Sequence, residues 1–144
     1  GGTVIVYKST GGPHMNSFSW YSIMDHGEAT ALMLPYYIAY YGKNIEDKLS
    51  KITKLMGLEP GDNVTKTVAQ GLLDFYKKIG QNTKIPDYDD FPEEFITKAI
   101  NDASQNQMKL DNMPRPIPAE KSEKILGVIL QGAWDGNLDE ILKL

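Results

Sequence analysis

Cysteine is absent from this 144-residue sequence, and histidine occurs only twice, at His14 and His26. Without cysteine the chain can form neither a disulfide nor a thiolate metal site, which fits a reducing compartment, so we expect a cytoplasmic location. The 15 basic residues are scattered among 19 acidic ones, and this charge pattern gives no indication of a nucleic-acid partner. The most apolar run, residues 29–41, contains Pro35 and is too short to span a membrane.

Apolar residues recur at helical spacing along most of the sequence, which predicts an all-α helical bundle with residues 1–144 as a single domain. No signal peptide is visible and the sequence does not begin with methionine, so we expect a fragment of a larger protein. The β-branched run Thr3–Tyr7 predicts a short extended segment before the helices. The predicted helices cover approximately residues 14–24, 26–41, 45–56, 64–79, 92–106, 119–134 and 138–144.

Helix 26–41 is apolar nearly all round, which predicts a central, buried helix with a kink at Pro35. Its four tyrosines are interpreted as core residues rather than as a binding stripe. Asn44 is the predicted N-cap of helix 45–56, and Asp62 or Asn63 that of helix 64–79. The predicted apolar stripe of helix 64–79 consists of Val64, Val68, Leu72, Phe75 and Ile79. Alternate prolines at positions 114, 116 and 118 predict an extended turn.

The two histidines lie twelve residues apart. On one uninterrupted helix, at about 100° per residue, they would point in different directions and could not share a ligand. Asp25 followed by Glu28 is a helix-start pattern, so a second helix is expected to begin at His26. Two histidines on neighbouring helices can converge on a metal ion. The alternative is two ordinary, partly buried histidines, because two ligands are fewer than a protein metal site requires.

Two stretches of the sequence resemble motifs of the iron-containing alcohol dehydrogenases, which belong to the wider dehydroquinate-synthase-like superfamily. The run Gly11–Ser19 followed by Asp25–Tyr37 resembles that family's metal-binding signature, in which one His opens a helix and a His-Gly pair opens the next. Asn112–Pro116 resembles the Asn-Pro-Arg-Pro turn that precedes the last helix of these enzymes. The resemblance covers essentially the whole chain, but only the C-terminal part of the family's enzymes.

The resemblance implies the helical C-terminal domain of a two-domain, NAD(P)-dependent alcohol dehydrogenase. It implies that His14 and His26 bind Fe²⁺, or Zn²⁺ or another divalent metal, while the remaining Asp and His ligands lie upstream of Gly1. The metal would polarise an alcohol, aldehyde or ketone substrate for hydride transfer to NAD or NADP. That cofactor would be held mainly by an N-terminal dinucleotide domain of the same protein. The resemblance further implies a homo-oligomer, and an isolated fragment that is inactive and contains no catalytic or cofactor-binding residue of its own.

The sequence also departs from the family pattern. Phe18 occupies a position where many members carry a further His near the substrate, so we assign Phe18 to the substrate pocket. The two ligand histidines are about two residues closer together than is common, and Asp25 stands where Pro often precedes His-Gly. Two alternatives remain open: a lyase that resembles dehydroquinate synthase, because His26-Gly-Glu-Ala is also close to its pattern, and a non-catalytic helical interaction module.

Overall fold

A computed structural model describes residues 11–59, 61–88 and 91–144 of the chain. Across these ranges the regular secondary structure is helical, which confirms the predicted all-α fold. The extended segment predicted at Thr3–Tyr7 lies outside the described residues. The α-helices of the described part are α1 (Gly12–Ser17), α2 (His26–Tyr41), α3 (Glu46–Leu55), α4 (Val64–Lys78), α5 (Glu94–Ser104), α6 (Gln107–Asp111), α7 (Ser122–Asp135) and α8 (Asp139–Lys143). Within the same ranges, no helix combines the length and apolarity needed to cross a membrane.

Helix α2 forms the centre of the fold, as its apolar sequence predicts. It packs against α1, α4, α7 and α8, and it continues as an α-helix through Pro35 to Tyr41. All four tyrosines of its C-terminal half are buried, which confirms their interpretation as core residues. Each hydroxyl has a hydrogen-bond partner: Thr83 O for Tyr36, Asn16 Oδ1 for Tyr37, Pro116 O for Tyr40, and the Gly12 N–H for Tyr41. The polar ends of the rings therefore fix the neighbouring segments against α2.

The proline-rich turn holds the C-terminal end of α2 against the end of the chain. The guanidinium of Arg115 lies 4.5 Å from the centre of the Tyr40 ring. It donates one hydrogen bond to the Tyr40 carbonyl at 3.1 Å and another to the Leu144 carbonyl at 2.6 Å. The planar guanidinium can lie flat on the ring and donate hydrogen bonds in its own plane at the same time. This geometry gives the Asn112–Pro116 stretch a structural role in the fold.

Local capping signals placed several helix ends correctly. Helix α2 begins at His26, and the Asp25 N–H donates to the Glu28 carboxylate at 3.3 Å, as the capping pattern predicts. Helix α4 begins after Asn63, whose side chain accepts from the Lys66 N–H at 3.0 Å. Asn63, rather than Asp62, is therefore the N-cap. Gly80 follows α4 with a φ of 77°, a left-handed conformation that suits glycine at a helix end.

The predicted helix 14–24 is wrong in its second half. Helix α1 ends at Ser17, a 3₁₀ turn covers Phe18–Trp20, and the carbonyl of Trp20 then accepts from both Ile23 and Met24. The Trp20 side chain is fully buried, and its Nε1–H donates to the Phe95 carbonyl at 3.3 Å. This contact joins Trp20 to α5, 75 residues away in the sequence, and a regular α-helix through residues 18–24 would not allow it. No local sequence signal predicts the contact.

Two other predictions need correction. Asn44 is not the N-cap of α3, because a 3₁₀ turn occupies Gly42–Asn44 and Ile45 takes the cap position. The predicted apolar stripe of helix 64–79 is partly wrong, because the side chains of Phe75 and Ile79 are 49% and 61% exposed. The buried residues of α4 are Thr65, Val68, Ala69, Leu73 and Tyr76. The face is set by contacts with α2 and α3, which the order of apolar residues alone does not determine.

A short helix, α6, occupies residues 107–111, where the apolar spacing of the sequence predicts no helix. The side chain of Asn106 accepts from the Lys109 N–H at 3.3 Å and caps this helix. Leu110 is completely buried and anchors α6 to the core. The Leu110 carbonyl also accepts from the Ile117 N–H at 3.2 Å. These contacts hold α6 beside α1, so that Lys109 of α6 reaches the site described below.

The close approach of α1 to α2 makes a prediction about stability. A Cβ added to the buried Gly12 would lie 2.1 Å from Cε1 of Tyr37, so Gly12→Ala forces the ring or the helix to move. We expect a loss of about 1–3 kcal/mol in the free energy of unfolding, as for other overpacked sites. The control is Gly27→Ala, since a Cβ there meets nothing within 4 Å. Urea unfolding of both variants checks the prediction, and equal stabilities would contradict the packing described.

Candidate metal centre

His14 and His26 come together where α1 meets the start of α2. Their ring centres are 5.0 Å apart and their planes are inclined by 76°. His14 lies in the single turn and a half of α1, and His26 is the first residue of α2. The break between the two helices thus brings together two residues that one continuous helix would have separated.

Helix α1 is tied to α2 at two points on either side of His14, once through its backbone and once through a side chain. The Gly12 N–H donates to the Tyr41 hydroxyl at 3.0 Å, and the Tyr37 hydroxyl donates to Asn16 Oδ1 at 2.6 Å. Both contacts are buried. His14 is therefore carried on a segment whose position relative to α2 is fixed by buried hydrogen bonds.

Ser17 connects the two histidines. Its hydroxyl donates to the His14 carbonyl at 2.7 Å, and its oxygen lies 2.8 Å from Nδ1 of His26. Because a carbonyl can only accept, the single hydroxyl proton is directed to His14, and Nδ1 of His26 must supply the proton of the second bond. The Tyr21 hydroxyl is also near this nitrogen, at the longer distance of 3.4 Å. His26 is thus held as the Nδ1–H tautomer, with a lone pair on Nε2.

The electrostatic surroundings favour a neutral His14. Burial lowers the pKa of His14 below its ordinary value, and the neighbouring His26 ring and Lys109 ammonium lower it further. A neutral imidazole is the form that binds a metal, since protons compete with the metal for the ring nitrogen. Protons therefore compete less for the His14 ring nitrogen than they do for that of an ordinary histidine.

Aromatic side chains form the exposed side of the histidine pair. Phe18 is 50% exposed and stacks on His26 with ring centres 6.1 Å apart. Tyr21, 54% exposed, meets Phe18 edge-to-face at 5.7 Å. The Lys109 Nζ lies 4.4 Å from the centre of the Phe18 ring. Phe18, which the sequence assigns to the substrate pocket, lies against His26 on the exposed side of the histidine pair.

Sequence reasoning missed three residues of this site. Ser17 could have been identified from the sequence, because a serine three residues after a helix-opening His can donate its hydroxyl to the carbonyl of that His. Tyr21 lies in a turn that had been assigned to a helix. Lys109 is distant in sequence and arrives only because α6 forms and packs on α1. No local pattern could have identified it.

The His14 and His26 rings lie close enough together to be considered as ligands of one metal ion. The observed separation of their ring centres is 5.0 Å. The Nδ1–H of His26 also donates to the Ser17 hydroxyl oxygen, as the free ring N–H of a metal-binding histidine usually does to a neighbour. In the described part of the chain, however, no group of three or more His, Cys, Asp or Glu residues surrounds a common point. Two imidazoles are fewer donors than a protein metal site requires.

The Ser17 bridge makes a prediction about the tautomer of His26. In the wild-type chain, ¹⁵N spectra of the histidine rings at pH 8 should show His26 with its proton on Nδ1. Ser17→Ala removes the acceptor, so the proton should redistribute towards Nε2. Ser19→Ala is the matched control, because Ser19 is also buried but donates to Asp102 at 2.8 Å. A wild-type His26 protonated on Nε2 would show that the hydrogen-bond assignment is wrong.

Comparison with known protein families identifies the family to which the chain belongs. The family model described as "Fe-containing alcohol dehydrogenase family, C-terminal" matches residues 17–130. No curated protein and no solved structure matches the chain. The matched range covers most of the chain and includes Ser17, Phe18 and His26, while His14 lies three residues before it. The chain therefore belongs to the Fe-containing alcohol dehydrogenase family and corresponds to its C-terminal region.

Proposed function

We propose that this chain is the metal-binding C-terminal domain of an NAD(P)-dependent alcohol dehydrogenase, and that His14 and His26 bind its divalent metal ion. The observation that carries the proposal is the convergence of the only two histidines of the chain at 5.0 Å, within a member of this family. The lowered pKa of His14 and the bond from His26 to Ser17 support the same role.

Iron is the metal that the family description favours, and zinc is an acceptable alternative for imidazole ligands. When bound, such a cation supplies Lewis-acid polarisation of the substrate oxygen. The residues of this chain have separate tasks. His14 and His26 hold the metal, Ser17 fixes the ring orientation of His26, and Phe18 covers the site with an apolar surface. The substrate is an alcohol, or the corresponding aldehyde or ketone.

The rest of the catalytic apparatus is assigned outside these 144 residues. We propose that the remaining metal ligands and the site for NAD or NADP belong to an N-terminal dinucleotide domain of the same protein, and that the complete enzyme is a homo-oligomer. The two-ligand donor set of the described residues is consistent with a site completed from another part of the protein.

The family match favours a dehydrogenase over the dehydroquinate-synthase-like lyase. A non-catalytic helical module is distinguished from both by metal content. A module that only packs on a partner does not need two histidines with a defined tautomer at a fixed separation. The Ser17 bridge therefore favours the metal-binding reading over the module.

The test is metal binding by the natural full-length protein. His14→Ala and His26→Ala should each lower the affinity for Fe²⁺ or Zn²⁺ by at least about 100-fold, because removing even a residue behind a ligand costs about 10–100-fold. NAD(P)-dependent alcohol oxidation should fall together with the metal content. Elemental analysis after dialysis measures the metal content, and an assay with a series of primary and secondary alcohols, including hydroxy acids and phosphorylated alcohols, measures the oxidation.

Lys51→Ala provides the control, since Lys51 is exposed on α3, which carries neither histidine. Circular dichroism of all three variants establishes that each is folded. Full metal content in either histidine variant would contradict the ligand assignment. A wild-type protein that binds metal but oxidises no alcohol would instead redirect the proposal towards the lyase.

A further inference from the structure

Lys109 is a cation placed beside the histidine pair by the packing of α6. Its backbone N–H bonds to the Asn106 side chain, and the next residue, Leu110, is completely buried. The position of its backbone is therefore fixed, and its ammonium lies 4.4 Å from the centre of the Phe18 ring. It is also close enough to His14 to act on that ring electrostatically.

This ammonium has no carboxylate counter-charge among the described residues. The salt bridges found there join Lys66 to Asp139, Lys84 to Asp87, Lys98 to Asp102 and Lys143 to Glu140. Asp102 is engaged by both Lys98 and Ser19. Lys109 instead faces an aromatic ring, a contact worth about 0.5–1 kcal/mol at an exposed site. The ring does not neutralise the charge, and it leaves the three N–H donors of the ammonium available.

The surroundings of Lys109 are suited to an oxygen anion. Phe18 is half exposed, so solvent and small molecules can reach the space next to the ring and the ammonium. An ammonium next to an apolar surface attracts an anion more strongly than one surrounded by water, because the local dielectric constant is lower. A metal ion on the two histidines would add further positive charge at the same place.

We propose that Lys109 and Phe18 form a subsite for an anionic oxygen group of the substrate, a carboxylate or a phosphate. The Lys109 ammonium donates to the anion, and the Phe18 ring limits the space beside it. The substrate class is then a hydroxy acid or a phosphorylated alcohol rather than a simple alcohol. This substrate assignment rests on the proposed function, whereas anion binding at Lys109 requires no bound metal.

The experiment measures anion binding to the metal-free full chain. The ring signals of His14 and His26 in ¹³C-histidine-labelled protein report on the site directly. Sodium acetate and inorganic phosphate are titrated separately at pH 8 and constant ionic strength, with neutral acetamide as the reference. We expect saturable shifts with an anion and none with acetamide. The anion with the lower dissociation constant identifies the group as carboxylate or phosphate.

Variants connect the binding to Lys109. Lys109→Gln should weaken anion binding about fivefold, as expected for loss of one partly exposed charged contact. Lys109→Arg should restore most of it, because the charge is kept, and Lys51→Gln should bind as the wild type does. Equal binding by wild type and Lys109→Gln, or no saturable shift with either anion, would overturn the subsite. Its failure is distinct from failure of the proposed function, which is judged by metal content and alcohol oxidation in the wild type and the two histidine variants.

Discussion

The contact between α1 and α2 is the constraint on which the site depends. Gly12 lies so close to the Tyr37 ring that no side chain fits between them, and two buried hydrogen bonds, to Tyr41 and from Tyr37, hold the short helix in place. A six-residue helix is not stable alone in water. Its conformation, and with it the position of His14, is therefore determined by the buried tyrosines of the central helix.

This arrangement separates two tasks within one central helix. The C-terminal half of α2 provides the buried tyrosines that contact α1 and the proline-rich turn, and Arg115 of that turn bonds to the end of the chain. The first residue of α2 provides His26, whose ring is oriented by Ser17 rather than by the core. Rigid support thus comes from one end of the helix and His26 from the other, an arrangement suited to holding a side chain in a precise orientation.

Local chemistry explains what the sequence could predict. The start of α2 at His26 follows from Asp25 and Glu28, and the end of α4 from Gly80, because caps involve residues only a few positions apart. The end of α1 at Ser17 depends on the contact of Trp20 with α5, and the exposure of Phe75 depends on neighbouring helices. Lys109 reaches Phe18 only in the folded chain. The histidine pair was therefore predictable, while the cation beside it was not.

The central claim is that His14 and His26 bind the same metal ion. The most direct measurement is anomalous diffraction from crystals of the natural full-length protein, collected on both sides of the absorption edge of its metal. The account predicts one anomalous peak about 2.0–2.2 Å from a ring nitrogen of His14 and from Nε2 of His26. A metal peak whose ligands exclude either histidine, or a bond to Nδ1 of His26 in place of Nε2, would contradict it.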